Sequence, residues 1–138
     1  MEEAVSRMQR VIMRDYGMEV VLGDPVDRAQ VEELLAEIAS KVPPPGGTFG
    51  VLVDARRARA YATTTQALLK SAILLLLEHG MRRRAVVVTS PVLALQSRRL
   101  ARETGTLAWT RWIHAAGHPA WHTAALDWLV HGIDHDPT

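Results

Sequence analysis

The chain has 138 residues, 48% of them hydrophobic, and a formal net charge of +1. This is one domain's length with ample apolar mass for a core, which argues against a disordered chain. Cysteine is absent, which excludes disulfides, thiolate catalysis and thiolate zinc sites.

The charge is unevenly spread. Acidic groups dominate residues 1–55. Residues 56–111 form a basic block, nearly all arginine, relieved only by Glu78 and Glu103, and residues 112–138 carry no Lys or Arg. Such a block suits an anionic partner. The plainer alternative is a set of arginines on solvated helix faces, balanced by the acidic helix before them.

Residues 1–9 read as a tail. Residues 11–13 and 18–22 read as two strands joined by a tight turn at Tyr16-Gly17. Asp24-Pro25 is expected to start a helix, with an Asp cap and Pro in the first turn. Its apolar stripe is Val31, Leu34, Leu35, Ile38 and Val42, the spacing of one buried face. The Pro43-Pro44-Pro45-Gly46-Gly47 cluster is a loop, too short to separate domains. A short apolar strand follows over 49–53, tipped by Asp54.

A second helix is predicted over 63–79, opened by Thr63-Thr64-Thr65 and closed by Gly80. Leu68, Leu69, Ala72, Ile73 and Leu76 make its core stripe. Leu74 and Leu77 point elsewhere, either under a neighbouring helix or into a contact between copies of the chain. Residues 85–88 read as a buried strand, preceded by Arg82-Arg83-Arg84. Ser90-Pro91 caps a third helix that ends near Thr104-Gly105, with Arg98, Arg99 and Arg102 upon it. Residues 107–113 can form an edge strand, and a last helix spans 119–131, closed by Gly132.

Strands and helices therefore alternate after an N-terminal hairpin. The expected fold is α/β: a mixed, mostly parallel sheet of about five strands with about four helices. The domain covers 10–133, and 134–138 form a second tail. No apolar run is long enough to cross a bilayer. No basic-then-apolar leader opens the sequence, so a cytoplasmic location is expected.

The segment with the most functional content is Val51-Leu52-Val53-Asp54, its arginine-rich loop and the threonines. Sites in open α/β folds lie past the carboxyl ends of strands. Asp54 can bind a ligand or hold the loop by accepting backbone N–H bonds. A helix start offers free N–H groups and a positive dipole end. A phosphate on Thr63 or Thr64, or a bound anion, would be stabilised there with Arg56, Arg57 or Arg59. The plain reading is that one Thr is an N-cap.

This strand–Asp54–loop–hydroxyl helix order resembles the STAS family of anti-sigma-factor antagonists. It resembles more particularly the small stand-alone STAS-like bacterial proteins grouped with the lipid-binding CRAL-TRIO fold. The likeness extends to a Val-rich strand followed by the helix Leu93-Ala94-Leu95-Gln96-Ser97-Arg98-Arg99-Leu100-Ala101-Arg102 and to the Trp-bearing Ala125-Leu126-Asp127-Trp128-Leu129, and it covers most of 10–133. The resemblance implies a STAS-like fold and regulation by protein binding, with a kinase or sigma-regulator-like partner. Counting from Asp54, the family's phosphorylatable serine falls on Thr63 or Thr64. Ala62 stands where the family has an acid, and Thr65 where it has glycine.

His118 and His122 have metal-ligand spacing, but no His-Glu-x-x-His pattern accompanies them, and His118 precedes Pro119. His114, His131 and His135 read as surface residues. Trp121 and Trp128 read as core. Trp109 and Trp112 could wall an apolar pocket or a partner surface. No nucleic-acid reading element accompanies the arginines, and nothing pairs a nucleophile with a base. The function expected is therefore a non-catalytic regulatory domain without metal or cofactor. Its interaction or anion-binding residues are Asp54, Arg56, Arg57, Arg59, Thr63, Thr64 and Thr65. The alternative is a binding module for a lipid or small anionic ligand.

Overall fold

The structure is a computed structural model and describes residues 9–135. A single five-stranded sheet carries the strands in sequence order. They are β1 (Arg10–Arg14), β2 (Gly17–Val21), β3 (Phe49–Ala55), β4 (Met81–Val88) and β5 (Thr110–His114). β1 and β2 form the antiparallel hairpin, and every later neighbour pair is parallel. Among the described residues four helices complete the α/β fold: α1 (Arg28–Lys41), α2 (Gln66–Glu78), α3 (Pro91–Thr104) and α4 (Trp121–Leu126). A π-helical turn, Asp127–His131, extends α4 to Gly132.

Right-handed crossovers between strands laid down in sequence order put α1, α2 and α3 on the same face of the sheet. That face holds the larger core. Val20, Val51, Val86 and Val88 from the strands meet Val31, Leu34 and Ile38 of α1, Ile73 and Leu76 of α2, and Leu93 and Leu100 of α3. The opposite face is smaller: Leu52, Ala85 and Val87 pack against Ala125, Trp128 and Leu129. β3 and β4 are thus apolar on both sides, as central parallel strands must be.

Several boundaries differ from the sequence reading. The first long helix starts at Arg28, capped by Asp27, whose carboxylate accepts from Gln30 N at 3.0 Å. Asp24-Pro25 lies outside it because the chain stays extended: Leu22 N donates to the Asp54 carbonyl, and Val26 bridges to Tyr61. Residues Leu107–Trp109 form a 3₁₀ turn ahead of β5. β4 begins at Met81, so Arg82, Arg83 and Arg84 lie inside the strand rather than before it. Strand alternation then divides them. Arg83 turns to the α4 face, where it lies over the Trp128 ring and donates to the Leu129 carbonyl. Arg84 turns to the face of α1–α3 and is 4% exposed. Leu74 stands exposed on α2, and Leu77 is half-buried.

Gly80 links α2 to β4 with φ +111°, and a Cβ there would lie 2.0 Å from the Gly47 carbonyl oxygen. Neither the dihedral nor the space tolerates a side chain. Gly80→Ala is expected to lower unfolding stability by at least about 2 kcal/mol. Urea denaturation measures this; an unchanged midpoint would show that the turn can relax freely.

Candidate functional site

Pairing with β2 and β4 carries β3 out to the C-terminal edge of the sheet, where Asp54 is 8% exposed. Its Oδ1 accepts from Arg56 N at 3.2 Å and from Arg56 Nε at 2.9 Å, and Oδ2 accepts from Nη2 at 2.9 Å. This is a bidentate fork that also closes a turn. Burial alone would push the Asp54 carboxyl up. The side-chain bonds, backbone N–H and charge of Arg56, with the charge of Arg57, outweigh it and hold the group below its ordinary value. The Arg56 guanidinium lies over the Trp121 ring, 4.1 Å from its centroid. Asp54 is therefore the anchor of the loop, and it faces the α4 side of the sheet.

The loop from Arg56 to Ala62 is fastened to the start of α3. Thr89 Oγ1 donates to the Arg56 carbonyl at 2.8 Å, and Ser90 Oγ donates to the Arg59 carbonyl at 2.6 Å. Ser90 also accepts from Leu93 N and caps α3. Gln96 clasps the Tyr61 backbone from both sides: Oε1 accepts from Tyr61 N at 2.7 Å, and Nε2 donates to Tyr61 O at 3.1 Å. Ala58 and Tyr61 are buried beneath, while Arg56, Arg57 and Arg59 are exposed.

The threonines behave differently from one another. Thr63–Thr65 form a 3₁₀ turn, and α2 proper starts at Gln66. Thr63 and Thr64 are exposed. Thr65 is fully buried, and its hydroxyl donates to the Ala62 carbonyl at 2.7 Å. No threonine hydroxyl caps α2, because the one at the cap position is turned back into the preceding turn. Thr65 thus drops out of the accessible set for want of exposure. Asp54 and Arg56 bind each other on the α4 side, whereas Thr63 and Thr64 open α2 on the opposite side. The loop joins these two halves along one rim.

Sequence reasoning missed the apolar part of this rim. Val92 is 55% and Leu95 69% exposed on the first turns of α3. With Arg99 they share one helix face at i, i+3 and i+7. Arg99 Nη2 donates to Gln66 Oε1 at 2.9 Å, which ties that face to the start of α2 beside Thr63 and Thr64. The signal was present: once Leu93, Ala94, Ser97 and Leu100 are assigned to the core, the helical period leaves Val92 and Leu95 outside.

The histidines do not converge. Among the described residues no three His, Asp or Glu side chains are placed to hold a metal ion. α4 starts at Trp121, so His118 lies off the helix that bears His122. His79 Nδ1 contacts the Pro43 carbonyl, and His135 Nε2 contacts Asp127. No helix among the described residues is long and apolar enough to cross a membrane. Comparisons with protein-family models, curated proteins and solved structures return no match.

Asp54→Asn keeps the shape of the anchor and removes its charge. It should cost about 1 kcal/mol at neutral pH, a value discounted for the exposure of Arg56. Because the folded-state pKa of Asp54 lies below the unfolded value, the wild-type advantage is full above the ordinary carboxylate range. It is lost as the pH falls through the folded value. Urea titrations of both proteins across this range should converge at low pH; a gap independent of pH would remove the charged fork.

Proposed function

We propose that this chain is a non-catalytic, STAS-like regulatory domain that works by binding another protein along the rim formed by the Arg56–Arg59 loop, Thr63, Thr64 and the first turns of α3. The single observation that carries the reading is the exposed pair Val92 and Leu95, held beside cationic side chains on a surface that is already rigid. Thr89, Ser90, Gln96 and Arg99 fasten the rim from four points. Little conformational freedom is then lost on association. Apolar side chains surrounded by arginine match a partner segment that carries apolar and acidic groups together.

The sequence resemblance supports the same surface, since it sets the family's regulatory hydroxyl at Thr63 or Thr64. Their exposure leaves both hydroxyls open to a kinase. A phosphoryl group there would place two negative charges on a rim built for an acidic partner and weaken binding by like-charge repulsion. The partner this reading implies is a kinase or sigma-regulator-like protein.

The test is a comparative pull-down from a lysate of the source cells, quantified by mass spectrometry, with circular dichroism to check folding. Baits are wild type, Leu95→Asp, the double variant Thr63→Glu/Thr64→Glu, and Val130→Asp. Val130 is 50% exposed beyond the other face of the sheet and serves as the control. The expected outcome is a protein retained by wild type and Val130→Asp but depleted about tenfold by both rim variants. Identical profiles for wild type and Leu95→Asp would sink the rim as a recognition surface.

A further inference from the structure

Arg84 is the least comfortable residue in the molecule. It sits between the sheet and α2–α3 at 4% exposure, and among the described residues no carboxylate lies within ion-pair distance of it. Of its five N–H donors, one is used: Nη2 donates to Thr106 Oγ1 at 3.2 Å. Its Nε is buried with no partner. Burial pushes the guanidinium down to about 10, and the nearby Tyr61 offsets this only in part. At neutral pH the group is still a cation, buried and without a counter-charge, a condition folded proteins avoid.

Arg84 also lines a cavity of about 60 Å³. The rest of the wall is apolar, with Val51, Val86, Leu69, Ile73 and Leu100 among its parts, except for Tyr61 and Ser97. Both of these are donors. Ser97 Oγ accepts from Trp112 Nε1 at 3.0 Å, and its own hydroxyl is directed at the Tyr61 phenol, whose O–H then points onward as a donor. Burial pushes the Tyr61 phenol up, against the opposing pull of Arg84 and Ser97, so it stays protonated. The cavity thus has a cationic, donor-rich end and an apolar remainder.

We infer that this cavity is a binding site for a short-chain monocarboxylate, with the carboxylate on Arg84 and the alkyl chain among Leu69, Ile73 and Val51. Three features select this class. A planar guanidinium fork matches a carboxylate in two parallel bonds. One buried cation neutralises one negative charge, so a phosphate dianion would leave charge uncompensated in apolar surroundings. The volume limits the length: about 60 Å³ is several times the roughly 10–15 Å³ needed to hold a single water, room for a small ligand on the scale of acetate to butyrate and no more. The site is separate from the rim and does not depend on the protein-binding reading.

The experiment measures binding of acetate, butyrate, neutral butyramide and inorganic phosphate to the full chain, by thermal shift at fixed ionic strength and by titration calorimetry. Butyrate should saturate and raise Tm by about 5 °C at ten times its Kd. Butyramide and phosphate should give no saturable effect, and Arg84→Met should abolish the butyrate response. Ala72→Met, which fills the cavity from α2, should do the same while leaving Arg84 in place. As a readout that needs no variant, ¹³C-methyl butyrate on wild-type protein should show NOEs to the methyl groups of Leu69, Ile73 or Val51. The inference is overturned by any of four results: no saturable butyrate effect, butyramide or phosphate binding as tightly as butyrate, an Arg84→Met response equal to wild type, or butyrate NOEs absent from those methyls. Should Arg84→Met fail to fold, the wild-type NOEs and Ala72→Met decide the matter.

Discussion

The parallel pairing of β3 with β4 is the constraint on which the remaining architecture rests. Its register sets Val51 against Arg84, Val53 against Val86 and Asp54 against Val87. Because side chains alternate along a strand, that register sends Val51, Val53, Val86 and Val88 to the face of α1–α3. Leu52, Ala85 and Val87 go to the face of α4. A slip of one residue would invert both sets, bringing Arg83 into the larger core and exposing Arg84. The same pairing delivers Asp54 and Val88 to a common edge. The Asp54–Arg56 anchor and the Ser90 cap of α3 can then hold the intervening loop from two sides.

The basic block of the middle third acquires a structural meaning once the C-terminal third is folded against it. Arg56 lies over Trp121, Arg98 over Trp112, and both Arg83 and Arg111 over Trp128. The tryptophans give these guanidinium groups a π-face, which for Arg56 and Arg111 adds to a carboxylate partner, Asp54 and Asp134 respectively. Each such contact is modest at an exposed site, about 0.5–1 kcal/mol. The Arg56 and Arg83 contacts attach α4 and its π-helical extension to elements far earlier in the chain, and the Arg98 contact attaches β5 to α3. Much of the charge asymmetry is therefore internal.

The fold was legible because its punctuation is local. Ser90 with Pro91 marks the start of α3, and Gly80, Gly105 and Gly132, all at positive φ, follow the ends of helical segments in the structure. Where two local signals competed, sequence reading chose the wrong one. Asp24-Pro25 and Asp27 both suit a helix start, and the pairing of Val26 with Tyr61, a residue distant in sequence, excludes the first. The site was half legible. Asp54 shows as a strand tip, but whether its carboxylate faces a ligand or Arg56 depends on the turn that follows. Thr63, Thr64 and Thr65 are identical in composition, yet one is buried and two are exposed, a distinction the helical phase alone makes. Arg84 was hidden most thoroughly: three consecutive arginines read as a solvated approach to a strand. Only the length of β4 and the packing of Tyr61 and α3 above it reveal that one of them is enclosed.

α3 connects the outer rim with the inner cavity, and it does so with different faces. Leu93, Ala94, Ser97, Leu100 and Ala101 are buried, and Ser97 and Leu100 line the cavity. Val92, Leu95 and Arg99 point outward. The helix is fixed at one end by Ser90 and at the other by Gly105, and Gln96 grips the Tyr61 backbone beside the cavity. Its position is thereby set by contacts that neither outward apolar residue supplies. A substitution at Leu95 alters the rim without removing any group from the cavity wall, and a substitution at Arg84 alters the cavity without removing any group from the rim. Tyr61 is the exception. Its backbone is held by the same glutamine that braces the rim, and its phenol belongs to the cavity wall. A change there disturbs both surfaces and separates nothing, which makes it the residue through which the two are physically joined.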